Sequence, residues 1–335
     1  MKALICLLAL AAAITAQIRP NLENSLREAA RAGENYTLKE LLDKRIDVDA
    51  ADANGNTPLM LATQNGHTES IRIILKYSPK EGSVARALAI AASRGFLDIV
   101  QIVLEAGTTA GARAAAMREA ALINHLEIIR LLLQYGADPD TSPDGIPPLS
   151  HAVRSNNTDL IELLLGAGAE INRPAKDGAA PLIAAVTAGN AEVVQTLLSY
   201  GADPNAGDRN TGTPLLSAVV HGRNDVARML LASGADPHVK DPRGAPLLAA
   251  AVNFGRPTML RLLAGFGARV DERDTAGHTP LMLAVLQSRT DMVRLLLEMG
   301  ANPSLRDTSN VSVLDMARRR STAGIVDLLR RYNAQ

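Results

Sequence analysis

Aromatic residues and cysteine are almost absent from this chain of 335 residues. Phenylalanine, tyrosine and tryptophan together make up 2% of it, and tryptophan does not occur. A core must therefore be built from alanine, leucine, isoleucine and valine, within a hydrophobic content of 47%. The single cysteine, Cys6, has no second cysteine with which to form an intramolecular disulfide. Packing alone must stabilise the fold.

Net charge is also lacking. The 35 lysine and arginine residues balance the 35 aspartate and glutamate residues. A neutral chain has no general electrostatic attraction to a polyanion or to an anionic membrane surface. Nucleic acid is therefore not expected as a partner.

The N-terminal segment differs from the rest of the sequence. Lys2 is followed by an uncharged run from Ala3 to Ile14 and then by the small residue Ala16. This order is typical of a secretory signal peptide, and the run is too short to span a hydrocarbon core of roughly 30 Å. We predict a signal peptide over residues 1–16 and no stable membrane insertion after cleavage. The alternative is an N-terminal capping helix, against which the break at Arg19-Pro20 argues.

Export has a consequence for the compartment. The protein would be periplasmic in a Gram-negative bacterium and secreted in any other source. Cleavage after Ala16 would also remove Cys6 and leave a mature chain without cysteine.

Alanine recurs along the chain at a nearly fixed interval. The steps are 33 residues or close to it, apart from two steps of 29, and an aliphatic residue follows each alanine twelve positions later. A single compact core does not produce such a period, whereas stacked copies of one small unit do. The repeated alanines are Ala29, Ala62, Ala91, Ala120, Ala152, Ala185, Ala218, Ala251, Ala284 and Ala317.

The clearest copy of the unit runs from Asp274 to Asp307. Gly277 suits a tight turn that needs a positive φ. Thr279 is predicted to cap a helix, and Pro280 fits the first helical position, where no N–H bond is required. Gly300 is expected to end the second helix in a left-handed conformation.

These features resemble the ankyrin repeat, a turn followed by two antiparallel helices. The resemblance implies an all-α solenoid of stacked helix-turn-helix units with short β-hairpin or turn fingers, about ten repeats over residues 21–335. It also implies a non-enzymatic, monomeric scaffold that binds other proteins. The motifs that carry it are Thr57-Pro58-Leu59, Thr213-Pro214-Leu215, Thr279-Pro280-Leu281, Gly136-Ala137-Asp138, Gly168-Ala169, Gly201-Ala202-Asp203, Gly234-Ala235-Asp236 and Gly300-Ala301-Asn302.

Two departures from the repeat pattern lead to structural predictions. The two units of 29 residues, between Ala62 and Ala120, should keep both helices and lack a full finger. This break should divide the concave surface and leave the regular stretch from Ala120 onward as the docking platform. In the unit of Ala251, Pro246 stands one position early relative to Gly244, so we expect the first helix there to start early as well.

No motif for catalysis or for a cofactor occurs. None of the six histidines forms a His-x-x-x-His pair, and neither a Gly-x-Ser-x-Gly elbow nor a phosphate-binding glycine loop is present. We therefore predict no catalytic residues, no metal and no cofactor. A hydrolase that uses scattered serine, histidine and aspartate residues is the alternative from a different class.

The resemblance places protein partners on the concave face, formed by the fingers and the first helix of each unit. At the ends of these helices several residues are apolar, namely Leu122, Ile123, Val220, Phe254 and Leu286, and they are accompanied by Arg154 and His221. An exposed apolar row with polar neighbours indicates an interface. The alternative is that some of these side chains pack into the groove between repeats.

The finger tips give a second set of candidate contacts. Lys176, Arg209 and Arg243 occupy comparable tips in successive units, and His278 occupies another. A row of cations could steer an acidic partner, although such residues are often only a solvated edge. An aromatic series at the end of the second helix, by contrast, is interpreted as packing: Tyr77, Tyr135, Tyr200, Phe266 and Tyr332.

Two kinds of binding protein fit this sequence. One is a general interaction scaffold, which we favour, and the other is a dedicated inhibitor or protector of a single exported enzyme or toxin. Both predict a specific protein partner.

Overall fold

The structure is a computed structural model that describes residues 21–207, 212–320 and 323–332. The predicted signal peptide lies outside these residues. The regular secondary structure of the described chain is helical apart from isolated β bridges, and a first and a second helix alternate along it. It divides into two compact units. Unit 1 comprises the chain up to Ala152 together with Asp159–Ala169, and unit 2 comprises Val153–Thr158 together with the chain from Glu170 onward.

In unit 1 the first helices α3, α5 and α7 pack side by side, and so do the second helices α2, α4, α6 and α8. Each first helix from α3 to α7 also packs on the second helix that follows it. The helices that lie wholly or partly in this unit are α1 (21–32), α2 (Asn35–Asp43), α3 (Pro58–Gln64), α4 (Thr68–Leu75), α5 (Glu81–Arg94), α6 (Leu97–Glu105), α7 (Ala110–Leu122), α8 (Leu126–Gln134), α9 (Pro148–Arg154) and α10 (Thr158–Gly166).

Unit 2 repeats the same two layers of helices. The first helices α11, α13, α15, α17 and α19 form one layer, and the second helices α12, α14, α16, α18 and α20 form the other. Their bounds are α11 (Pro181–Ala188), α12 (Ala191–Ser199), α13 (Pro214–His221), α14 (Asn224–Ala232), α15 (Leu247–Asn253), α16 (Pro257–Gly265), α17 (Pro280–Leu286), α18 (Thr290–Glu298), α19 (Val313–Arg319) and α20 (Ala323–Arg331).

The repeated alanines line the core of both units. Every one of them is buried, from Ala29 in α1 to Ala317 in α19, and so is each aliphatic residue twelve positions later. The small alanine side chain lets neighbouring first helices approach closely, while the longer aliphatic side chain of the second helix fills the remaining space. The period of the sequence is thus the period of the core.

Helix starts follow the predicted chemistry. The Thr279 hydroxyl accepts a hydrogen bond of 3.3 Å from the backbone N–H of Met282, and Pro280 occupies the first helical position. Thr57 and Thr213 cap α3 and α13 in the same way. At the other end of the α17–α18 pair, Gly300 adopts a φ of 87°, as predicted for a C-terminal left-handed residue.

The two short repeats are built without fingers, as their length predicts. Helices α5 and α7 contain 14 and 13 residues, whereas α3 contains 7 and α13 contains 8. The residues that would form a finger are partly missing, and those that remain extend the first helix. Asp49, from the turn before α3, accepts a hydrogen bond of 2.8 Å from the backbone N–H of Lys80 and a second one from the Ser83 hydroxyl. A residue of one repeat therefore caps α5 in the next.

The prediction of an early helix start at Pro246 is wrong. Helix α15 begins at Leu247, four residues before Ala251, and α17 likewise begins four residues before Ala284. Pro246 takes the N-cap position in an extended conformation with a φ of −63° and a ψ of 156°. An N-cap residue contributes its carbonyl group to the helix and not its N–H, so proline fits there without moving the helix.

The fingers are turns held by aspartate. The Asp274 Oδ1 accepts hydrogen bonds from the backbone N–H groups of Ala276 at 2.9 Å and His278 at 2.8 Å. Asp52, Asp241 and Asp307 do the same in their own fingers. Isolated β bridges join Lys240 with Pro246 and Arg306 with Ser312. Short turns therefore form these two fingers.

Candidate protein-binding surface

The end of α7 presents the most exposed aliphatic residues of the predicted row. Leu122 is the last residue of this helix and is 53% exposed, and Ile123 follows it and is 48% exposed. Neither side chain contributes to the core of unit 1. Exposed aliphatic side chains that adjoin each other are typical of a contact surface.

In unit 2 the predicted row divides into two classes. Phe254, which follows α15, is 49% exposed. Val220 and Leu286 are less exposed, since both are half-buried. His221 is exposed, and its Nδ1 lies 2.8 Å from the backbone carbonyl of Ser217 on the same helix. The row in this unit therefore combines one exposed aromatic side chain with two half-buried aliphatic side chains.

The predicted cations are mostly exposed and lie near acidic groups. Arg154 forms an ion pair with Asp177 of the next finger. Lys176 is exposed and directly precedes Asp177, and Arg243 is exposed in the finger held by Asp241. Arg209 lies outside the described residues. The described fingers consequently present mixed charge.

His278 connects two neighbouring fingers. Its Nδ1 lies 3.5 Å from the Asp274 carboxylate and its Nε2 lies 3.9 Å from the Asp307 carboxylate. The side chain is 25% exposed. Its position between two carboxylates gives this histidine a role in joining the fingers, and it presents only a small area to a partner.

The aromatic series packs only in part. Four of its members are between 38% and 46% exposed, and each directly follows the last residue of a second helix: Tyr135, Tyr200, Phe266 and Tyr332. Tyr77 is half-buried and donates a hydrogen bond to Asp43, which raises the pKa of the Tyr77 hydroxyl.

A row of arginines at the start of the second helices was not among the predicted candidates. Arg223, Arg256 and Arg289 each stand just before the second helix of their repeat, five residues after the repeated alanine. The Arg256 Nη2 donates a hydrogen bond of 3.2 Å to the Val220 carbonyl, and the Arg289 Nη2 donates one of 3.4 Å to the Asn253 carbonyl. We name these three residues the arginine ladder.

Each member of the arginine ladder lies over a glycine of the preceding repeat. A Cβ added to Gly222 would lie 2.7 Å from the Arg256 Cζ, and a Cβ added to Gly189 or to Gly255 would lie still closer to the nearest guanidinium atom of Arg223 or Arg289. In unit 1, His67 takes the same position, and its Nε2 lies 2.9 Å from the Arg31 carbonyl. His67 and the three arginines all stand five positions after a repeated alanine, and this shared spacing could have revealed the row from the sequence.

Polar side chains also join adjacent first helices in unit 2. The Gln287 Nε2 donates a hydrogen bond of 2.6 Å to the Asn253 Oδ1, and the Thr187 hydroxyl lies 2.9 Å from the Ser217 hydroxyl. Asn253, the acceptor in the first of these contacts, lies directly before Phe254 in the sequence.

A cluster of charges in unit 1 surrounds Asp144. The Arg118 Nη1 lies 3.7 Å from the Asp144 carboxylate, and the His151 Nε2 lies 4.0 Å from it. Arg118 also pairs with Glu119. The hydrogen bond from the Ser142 hydroxyl is the main reason that the Asp144 pKa is lowered. The carboxylate thus acts as an acceptor that holds its turn together.

Three further aspartates have lowered pKa values for similar reasons. The backbone N–H of Asn56 lowers the pKa of Asp52, and the backbone N–H of Ala179 lowers that of Asp177. The Ser312 hydroxyl lowers the pKa of Asp315. All three carboxylates hold a turn or a helix start, and none faces a catalytic partner.

No metal site is found in the described residues. No group of three or more histidine, cysteine, aspartate or glutamate side chains is placed to hold a metal ion there. A cavity of about 700 Å³ in unit 1 is an open groove between α8 and α10, and it is lined by residues such as Arg130, Glu162 and Leu163. Among all the described residues, no helix is long and apolar enough to cross a bilayer.

Comparisons with known proteins agree with this architecture. The family model described as "Ankyrin repeats (3 copies)" matches residues 26–114, 88–175, 149–241 and 233–307. A curated relative, osteoclast-stimulating factor 1 of Danio rerio, is 34% identical over 55 residues, which are 16% of this chain and 26% of that protein. The match therefore spans only about a quarter of that relative.

Solved structures of ankyrin repeat domains are similar over a larger part of the chain. The domain of Bcl-3, a member of the IkappaB protein family, has a TM-score of 0.58 at 27% identity and covers 64% of this chain and 97% of that one. A domain from Acinetobacter baumannii AYE has a TM-score of 0.53 at 30% identity and covers 56% and 98%. The domain of human ASB11 has a TM-score of 0.53 at 27% identity and covers 65% and 98%.

The family match covers most of the sequence, and the helix pairs, threonine caps and buried alanines agree with it. This chain belongs to the ankyrin repeat family.

Proposed function

We propose that this protein is an exported, non-enzymatic scaffold that binds another protein through the first-helix side of its repeats. Ankyrin repeats generally serve as protein-binding modules. The observation that carries the proposal is the exposure of Leu122, Ile123 and Phe254 at the ends of first helices. Burying such apolar surface against a partner is favourable by roughly 25 cal/mol per Å².

The N-terminal sequence supports the proposed export of the protein. Lys2, the uncharged run from Ala3 to Ile14 and the small Ala16 form the pattern of a signal peptide. The compartment would be the periplasm in a Gram-negative source and the extracellular medium otherwise. A monomer is proposed, since a repeat array can present its binding surface without a second copy.

Affinity capture from the exported fraction, followed by mass spectrometry, tests the proposal. The wild-type protein should recover a specific protein, and a variant with Leu122→Ser, Val220→Ser and Phe254→Ser should lose most of it. Thermal stability should change little for Leu122 and Phe254, because both are exposed, and somewhat more for the half-buried Val220. An N-terminal sequence that begins at Gln17 would support export and cleavage.

Phe266→Ser is the matched control. This phenylalanine is 40% exposed, lies in unit 2 like Phe254, and follows a second helix instead of a first helix. Its replacement should leave capture unchanged. Equal loss of the partner in the triple variant and in the Phe266→Ser variant would reject the first-helix surface, and failure to capture any specific protein would reject the scaffold. Capture of one enzyme or toxin would favour a dedicated inhibitor or protector.

A further inference from the structure

The arginine ladder is a row of cations without acidic partners. In the described part of the chain no carboxylate oxygen lies within 4.0 Å of the guanidinium groups of Arg223, Arg256 or Arg289. The two carbonyl contacts, from Arg256 and Arg289, use one nitrogen of each side chain. The buried Nε of Arg256 has no hydrogen-bond partner among the described residues. Donors therefore remain in the row after its internal contacts are made.

A second row of arginines in the same unit provides a comparison. Arg228, Arg261 and Arg294 are exposed on the second helices of the same three repeats, at the same spacing of 33 residues. Arg261 pairs with Glu298 at 3.7 Å. No carboxylate oxygen lies within 4.0 Å of Arg228 or Arg294 in the described part of the chain, although Asp225 and Asp291 stand three positions before them. The two rows are therefore matched in charge and spacing and differ in position, since only the arginine ladder lies at the starts of the second helices.

The arginine ladder is continuous with the proposed binding surface. Its carbonyl acceptors belong to Val220 and Asn253, which directly precede His221 and Phe254. At the end of α19, the exposed residues Arg318, Arg319 and Arg320 add further cations, of which Arg318 pairs with Asp315. Positive charge and an exposed aromatic ring therefore lie side by side in unit 2.

We propose that the arginine ladder binds an acidic segment of the partner protein, with an apolar side chain of that segment on Phe254. This rests on the proposed function and specifies the chemistry of the partner. A guanidinium group matches a carboxylate through two parallel N–H···O bonds, so glutamate and aspartate side chains fit the spare donors. A polypeptide is favoured over a nucleic acid because the chain as a whole has no net charge to attract a polyanion.

The test uses two triple variants that remove the same charge. One is Arg223→Gln, Arg256→Gln and Arg289→Gln, and its control is Arg228→Gln, Arg261→Gln and Arg294→Gln. A short glutamate-rich peptide with one central leucine serves as the probe, and its binding is measured by fluorescence anisotropy. We expect the ladder variant to bind roughly tenfold or more weakly and the control to bind like the wild type. Added salt should weaken wild-type binding.

A third variant separates charge from folding. Arg223→Lys, Arg256→Lys and Arg289→Lys keeps the cations and should retain part of the binding, and circular dichroism checks that every variant is folded. Equal weakening in the ladder and control variants, or no binding of the peptide by the wild type, would overturn the proposal. Tighter binding of a DNA oligonucleotide or of anionic lipid vesicles would overturn it as well. If the acidic-segment proposal failed in this way, capture of a partner through Leu122 and Phe254 could still succeed. The two experiments therefore test the two proposals independently.

Discussion

At the scale of single residues, one backbone position recurs in the repeats of Ala29 to Ala284. The residue four places after the repeated alanine has a positive φ, and in most repeats it is a glycine such as Gly222 or Gly255. Ser288 holds the position with a φ of 56° in the repeat of Ala284. A residue with a Cβ is strained in this left-handed region, whereas glycine is not. Ser288 is therefore a point of stored strain.

Replacing Ser288 by glycine should stabilise the protein. Relief of the strain outweighs the larger conformational entropy of glycine in the unfolded chain, so we expect the free energy of unfolding to rise by up to about 1 kcal/mol. Urea denaturation measures the change. Ser288→Ala keeps the Cβ and should bring no such gain. A decrease for the glycine variant would show that the serine hydroxyl contributes more than the strain costs.

At the scale of secondary-structure elements, the start of α5, in a repeat without a finger, depends on a residue that is distant in sequence. Its own N-cap residue, Lys80, makes no side-chain capping bond, and the Asp49 carboxylate accepts the Lys80 N–H instead. The loss of finger residues between repeats is thus compensated by the turn of the preceding repeat.

Asp49→Ala should loosen the start of α5. Loss of a capping acceptor costs about 1 kcal/mol, so we expect a lower melting temperature and faster hydrogen exchange in the first turn of α5. Asp49→Asn keeps one acceptor oxygen and should lie between the alanine variant and the wild type. An alanine variant with unchanged exchange at Ser83 and Val84 would mean that solvent caps the helix equally well.

At the scale of the whole molecule, stability is a sum of repeats and of contacts between neighbours. No disulfide and no aromatic core supplements these contacts, since Cys6 is the single cysteine and aromatic residues form 2% of the chain. A defect in one repeat should therefore act mainly on that repeat and on those beside it.

Leu230→Ala tests this locality. Leu230 is fully buried in α14, so its truncation should cost about 2–5 kcal/mol. Hydrogen exchange should accelerate in α13 to α16, while helices α3 to α6 of unit 1 keep their protection. Uniform acceleration along the described chain would instead indicate that it unfolds as one cooperative body.

The sequence by itself determined the repeat, the helix pairs and the helix starts. Each depends on residues close together in the chain, such as Thr279 with Pro280, or on a fixed period such as that of the buried alanines. Much of the candidate surface could also be predicted, because Leu122 and Phe254 are apolar at positions near the ends of first helices.

Only the tertiary structure decided how the repeats join. The contact from Arg256 to Val220 and the capping of α5 by Asp49 link residues 36 and 31 positions apart. The same holds for exposure, since Val220 is half-buried and Phe254 is not. These outcomes depend on the close approach of neighbouring repeats in space. A pattern within one repeat carries no information about that approach, because the contacting atoms belong to the next repeat.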